Sequence, residues 1–188
     1  MIVIGLVGEK GSGKDKFAEF LVQIARGRCV VTAGFSDILY DTLSEWGISP
    51  TRVNLQKLPV AMDGAYGEGT LANAVALRLE KIYADVLVVR GMRWDPDVAL
   101  IRRLPKNSIV YVTASASVRH ARTLARGEKA GETETTFEQF MREEQAANEV
   151  GIPRIGASAD YKIVNEGTLA DYKSEVARVY STIRARYS

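Results

Sequence analysis

Three glycines and a lysine are set in the run Gly8-Glu9-Lys10-Gly11-Ser12-Gly13-Lys14-Asp15, which follows the apolar stretch Ile2–Val7 and precedes a segment with helical periodicity. Glycines spaced this way let a backbone curl around a polyphosphate with its N–H groups turned inward. A lysine at the end of the turn reaches the β- and γ-phosphates, and the helix beyond offers its positive N-terminal end to the same anion. The spacing fits G-x-x-x-x-G-K-[ST] except at the last place, where Asp15 replaces the hydroxyl residue that ordinarily touches Mg²⁺. A carboxylate is a hard oxygen ligand of the kind Mg²⁺ accepts. The expected chemistry is therefore binding of ATP with Mg²⁺, through Gly8, Gly11, Ser12, Gly13, Lys14, Asp15 and the adjacent Lys16, with Asp15 as metal ligand.

A second group of charges comes later in the chain. Arg119, Arg122 and Arg126 fall at i, i+3 and i+7 and share one helical face. Such a face either grips phosphoryl oxygens as a lid or is a solvated surface paired with Glu143 and Glu144, worth about 0–1 kcal/mol per pair. Arg93, in Arg90-Gly91-Met92-Arg93, ends a strand at the sheet edge facing the loop. Asp37 either faces the acceptor or caps a helix, and Arg52, near a helix start, is a candidate for an acceptor phosphate. His120 is the single histidine and reads as a surface residue, neither base nor ligand; Trp46 and Trp94 read as packing residues.

These residues need a scaffold, and the hydrophobic pattern supplies one. Ile2–Val7 is apolar on both faces, as a central parallel strand is. Phe17, Phe20, Leu21 and Ile24 make one helix face ending near Gly27. Further strands are expected at residues 29–33, 85–89, 108–113 and 161–164. Helices are expected from Ser36 or Asp37 to Trp46, over 51–62 and 70–83 with a Gly-rich break at 63–67, from Asp95 to about Leu104, and over 118–126. Another starts at Thr135 or Thr136, with Glu138 placed for a capping box on Thr135. The last opens at Thr168 with Leu169, Tyr172, Val176, Val179 and Ile183 as its apolar stripe. A parallel crossover needs only about a dozen residues, whereas about fifty separate strands two and three. The excess, residues 36–83, reads as a helical acceptor-binding insertion over the carboxyl end of the sheet. Residues 118–150 read as a lid region whose Gly127–Thr133 stretch moves.

The 188 residues, 46% hydrophobic and 26% charged, suit one domain with a proper core. A net charge of +2 argues against general nucleic-acid binding. Cys29, the single cysteine, lies in an apolar β-branched stretch and reads as a buried strand residue, which suits a reducing cytoplasm. No apolar run approaches the ~18 residues of a membrane span, and Met1-Ile2-Val3 enters a strand with no signal-like region. The expectation is a cytoplasmic α/β protein, monomer or homodimer, with a five-stranded, mostly parallel sheet in three α/β/α layers.

At these residues the chain resembles the nucleoside monophosphate kinase group of P-loop NTPase-fold phosphotransferases, which includes adenylate kinase, phage-type deoxynucleoside monophosphate kinases and dephospho-CoA kinase. The Ser12-Gly13-Lys14-Asp15 ending is similar to the loop of the deoxynucleoside monophosphate kinases. The order Ser36-Asp37, Thr51-Arg52, Tyr66-Gly67-Glu68-Gly69, Gly91-Met92-Arg93, the arginine helix and Ala159–Asn165 also resembles a little-characterised archaeal-type branch, adenylate-kinase- or dephospho-CoA-kinase-like. The resemblance implies transfer of the γ-phosphoryl of ATP to a nucleoside or deoxynucleoside monophosphate. Lys14, Arg93, Arg119, Arg122 and Arg126 would then be catalytic, Asp37, Arg52 and Arg93 would lie at the acceptor, and Asn165 and Gly167 beside the adenine. Dephospho-CoA as acceptor, or a regulatory protein that binds nucleotide without turnover, are the alternatives. Two departures bear on this: Arg90 stands where many relatives carry an acidic residue that orients Mg²⁺ through water, and Tyr40 where an arginine is frequent. Either the metal site is rebuilt around Asp15 or catalysis is lost, and the carboxylate of Asp15 favours the first.

Overall fold

In the computed structural model, which describes residues 1–126 and 135–188, five strands form one sheet in the order β2-β3-β1-β4-β5. They are β1 (Ile2–Val7), β2 (Val30–Gly34), β3 (Val86–Arg90), β4 (Asn107–Thr113) and β5 (Tyr161–Val164). Each of the four pairings is parallel, so the expected mostly parallel sheet is wholly parallel. β1 takes the centre because it has no polar face. Ile2, Ile4 and Leu6 enter one core layer, Val3 and Val7 the other, and all are buried. Gly5 keeps that second face open, for a Cβ there would sit 2.9 Å from the Met92 side chain and 3.2 Å from Ile101.

The first layer is covered by α1 (Lys14–Ile24) and α9 (Leu169–Arg186). Phe17 and Leu21 of α1 meet Tyr172, Val176, Val179, Tyr180 and Ile183 of α9, as the stripes predict. Leu169 departs from its stripe: at the first helical position it is 66% exposed, beyond the reach of the sheet. The opposite layer is covered by α2 (Phe35–Glu45), α4 (Thr70–Leu79), α5 (Asp95–Arg103) and α8 (Ile152–Ala157). Between α2 and α4 stands α3 (Arg52–Tyr66), and α6 (Ala116–Arg126) and α7 (Phe137–Glu144) follow β4. The three layers are those of a P-loop NTPase.

Several local expectations move. The Gly-rich break does not interrupt α3, which runs through Gly64 and stops at Gly67 with φ 98°. Cys29 is exposed, just before β2, because β2 is an edge strand. The capping box of α7 joins Thr136 to Gln139, one residue beyond the expected pair. Trp94 packs on the second core layer, whereas Trp46, at the end of α2, is 58% exposed. Residues 127–133, the segment expected to move, lie outside the described residues.

A candidate phosphate-binding loop held by side chains, facing an acidic segment

The Gly8–Asp15 turn leaves the central strand and enters α1, and no side chain caps that helix. Gly11 (φ 77°) and Gly13 (φ 104°) occupy backbone conformations that a side chain disfavours, so glycine is required at both. The loop is also hemmed in. A Cβ on Gly11 would lie 2.5 Å from the Arg119 carbonyl oxygen, and one on Gly13 2.5 Å from Nδ2 of Asn165.

Side-chain donors hold the carbonyl groups of this turn. Lys14 Nζ donates to the carbonyls of Gly8 (2.6 Å) and Glu9 (2.8 Å). Arg119 reaches that of Lys10 (3.4 Å), Asn165 Nδ2 that of Ser12 (2.9 Å), and the Tyr172 hydroxyl that of Gly13 (2.9 Å). With these carbonyls engaged by α6, the end of β5 and α9, the loop has a braced outer side, and the Ser12 N–H closes the turn on Glu9 O (3.2 Å). Burial, with Arg93 nearby, lowers the Lys14 ammonium to about 8, against the pull of Asp15, Glu149 and Glu9. Glu9 itself is 9% exposed and accepts a hydrogen bond from Tyr111, whose hydroxyl is pushed up to about 12 by burial and then by that carboxylate.

The three arginines of α6 share a face but not a role. Arg119 is buried; its Nε donates to Ala114 O (2.8 Å), and both terminal nitrogens engage Glu144. The pairing with Glu144 was one of the two sequence readings, but it is buried where a solvated one was expected, and Glu143 pairs with Lys10 (3.4 Å). Arg122 donates to the carbonyl of Asn165 (2.8 Å), and Arg126 is exposed at the end of the helix. His120 is half-buried against Phe137 and Phe140, its Nε2 2.7 Å from Thr135 O, and reaches no candidate site group.

Across the loop, Arg93 forms an ion pair with Glu149 and donates to Asn148 O (2.9 Å). Residues 143–149 thus place three carboxylates on three cations, Lys10, Arg119 and Arg93, around a small cleft floored by Phe140. Gln56 of α3 bonds Asn148 (3.1 Å), tying this segment to the insertion. Beneath Arg93, the buried Asp97 accepts the N–H groups of Arg93 (2.8 Å) and Trp94 (3.1 Å). Its carboxyl is raised to about 6 by burial, against those two bonds. Asp97 thus caps the start of α5, while Asp95 pairs on the surface with Arg154 (2.7 Å).

Asp15 does not pair with Lys14; it takes Arg90 at 2.8 Å. Asp37 Oδ2 accepts the Gly34 N–H (2.6 Å) in the first turn of α2, so it serves as a cap there. Arg52 opens α3. Lys16 pairs with Glu19 on the outer side of α1, and Gly167 lies at the turn before α9. Among the described residues no group of three or more His, Cys, Asp or Glu could hold a metal ion. A divalent cation that arrives with a triphosphate needs only one or two carboxylates, and Asp15, its side chain 65% exposed, fits that lesser demand.

Sequence reasoning missed Glu9, Tyr111, Glu149 and Asp97, and saw Tyr172 only as packing. The Asp95-Pro96-Asp97 run carried a signal for Asp97, since a carboxylate at the third helical position reaches back to free N–H groups. Glu149 carried none, as it is 56 residues from Arg93.

No protein-family model matches the chain. A protein of Hyperthermus butylicus described as a UPF0200 protein is 30% identical over 182 residues, covering 97% of this chain and 95% of its own. The chain belongs to the UPF0200 family. The UPF0200 chain also shares its fold with solved kinases. A shikimate kinase from Acinetobacter baumannii, in complex with shikimate, aligns with a TM-score of 0.57 and 18% identity over 97% of this chain and 94% of its own. A gluconokinase from Sinorhizobium meliloti aligns at 0.56 and 18% over 100% and 98%. Identities this low speak for the fold, which is that of P-loop kinases. They do not single out the nucleoside monophosphate kinase branch. Among the described residues no helix is long and apolar enough to cross a membrane.

Proposed function

We propose that the protein is an ATP-dependent phosphotransferase that moves the γ-phosphoryl group of ATP to the phosphate of a nucleoside or deoxynucleoside monophosphate. The observation that carries this reading is the loop itself. Its carbonyls are engaged from outside, its lysine sits at the uncapped start of α1, and Arg93 stands close enough to depress that lysine. A triphosphate entering the turn meets backbone N–H groups and the dipole of α1. Lys14 then exchanges the carbonyls of Gly8 and Glu9 for phosphate oxygens. Asp15 would hold a Mg²⁺ ion brought by the nucleotide, which would supply charge neutralisation there.

On the acceptor side Arg93 and Arg52 position the monophosphate under the α2–α4 helices, and Arg122 and Arg126 close from α6, while Asp37 remains the cap of α2. Arg119 holds the loop in shape and stabilises charge through it. Phosphoryl transfer of this kind asks the protein for positioning and electrostatics rather than covalent chemistry, so a phosphate acceptor needs no general base. One P–O bond forms to the acceptor phosphate as the bond to ADP breaks. Asn165 and Gly167 lie at the adenine end.

ADP release from ATP with Mg²⁺, measured against a panel of nucleoside and deoxynucleoside monophosphates, dephospho-CoA, shikimate and gluconate, tests the assignment. Stimulation of at least tenfold by one monophosphate is expected; stimulation only by a hydroxyl acceptor, or by none, removes it.

A further inference from the structure

Arg90 and Asp15, 75 residues apart in the chain, meet as an ion pair beside the loop. Arg90 ends β3 with its backbone in register between Leu6 of β1 and Gly34 of β2, so its Cα is fixed at the carboxyl edge of the sheet. Its Nη1 lies 2.8 Å from Asp15 Oδ1, while its Nε is buried with no hydrogen-bond partner among the described residues. Asp15 follows Lys14 at the start of α1, so a triphosphate in the loop would bring several negative charges against this carboxylate. Some cation must stand between them. An ion pair whose acid is 65% exposed is weak, and a divalent cation bridging phosphate and carboxylate outcompetes it.

We propose that Arg90 is a positioning residue that sets the metal dependence of nucleotide binding by acting through Asp15. This rests on the loop being an ATP site, as argued above. In the nucleotide-free protein Arg90 neutralises Asp15. When metal-free ATP binds, Arg90 stays on Asp15 and shields the triphosphate from it. When ATP arrives with Mg²⁺, Asp15 exchanges Arg90 for the metal, and the released guanidinium, with its unpartnered Nε–H, turns to the phosphoryl oxygens beside it. The carboxylate after the loop lysine and the guanidinium at the end of β3 thus act as one unit.

The test is the ratio of ATP dissociation constants without and with Mg²⁺, measured by calorimetry on the parent, Arg90→Met, Asp15→Asn and the double variant. Arg90→Met leaves Asp15 bare, so metal-free ATP weakens by about tenfold or more while Mg²⁺–ATP changes by less than about threefold, and the ratio rises. Asp15→Asn lowers the ratio below that of the parent, because metal-free ATP gains and the metal-bound form loses. In the double variant the ratio falls back to that of Asp15→Asn, since Arg90 has no carboxylate left to act through. A surface pair without this role moves both constants together and leaves the ratio unchanged, which overturns the proposal. If Arg90→Met does not fold, Arg90→Gln carries the test: a neutral polar side chain in place of the guanidinium must raise the ratio in the same direction, and an unchanged ratio overturns the proposal equally. A parent that binds ATP in neither condition refutes the underlying ATP site instead, and is told apart by that control.

Discussion

The phosphate loop and the acidic segment at residues 143–149 lie against each other and are built on opposite principles. The loop is a local object. Its glycine dihedrals and its helix start are dictated by neighbours in sequence, and distant side chains only brace its carbonyls. The acidic segment has no such local logic. What defines it is three carboxylates meeting cations from the loop, from α6 and from the end of β3. Backbone geometry is hard to alter without steric cost, whereas a charge pair is exchangeable when a stronger anion arrives. One side of the candidate site is therefore fixed by backbone geometry and the other is held by exchangeable ion pairs.

The largest effect expected from this contrast falls on Arg119, the point where the two regions join. Arg119→Met leaves Glu144 without its cation and frees the carbonyls of Lys10 and Ala114. Breaking a buried pair by removing one partner costs about 3–5 kcal/mol. Urea unfolding should show a loss in that range, and a loss below about 1 kcal/mol would return α6 to a solvated face.

Next comes the rigidity of the loop. Gly13→Ala meets both a left-handed φ of 104° and the Asn165 amide, whereas Gly27→Ala meets only a φ of 75° with nothing within 4 Å. The left-handed conformation alone costs about 1–2 kcal/mol, so Gly27→Ala should lose about that much and Gly13→Ala clearly more, with weakened ATP binding. Equal losses in the two proteins would show that Asn165 does not brace the turn.

The smallest effect concerns Asp97 beneath Arg93. One oxygen, Oδ2, accepts both N–H groups, so the carbonyl of an asparagine can replace it. The folded state holds the Asp97 proton more tightly than the unfolded chain, about 6 against 3.8. Its contribution to stability is therefore fully present below pH ~3.8 and lost as pH rises through ~6. Asp97→Asn, neutral at every pH, should be at least as stable as the parent at pH 7 and flatten the pH 4–6 part of the stability profile relative to the parent. Asp97→Ala, which strands both donors, should lose about 1–2 kcal/mol. A parent and an asparagine variant with parallel profiles would contradict the raised carboxyl.

From the residues alone one could read the strand–turn–helix start, the central β1, the stripes of α1 and α9, the helices between β2 and β3 and the three-layer α/β/α plan. All of these rest on interactions within a few residues or on a period of apolar positions, and such information is written along the chain. Tertiary structure decided what each charge does. Arg119, Arg122 and Arg126 look alike at i, i+3, i+7, yet one is buried on Glu144, one binds a carbonyl at the end of β5 and one is exposed. Cys29 reads as buried until β2 proves to be an edge strand. Asp15 and Arg90 are 75 residues apart and Arg93 and Glu149 are 56, and nothing local couples them. The physical reason is range: hydrogen-bonded turns and hydrophobic periods act between sequence neighbours, while an ion pair depends on which strand ends the sheet sets side by side.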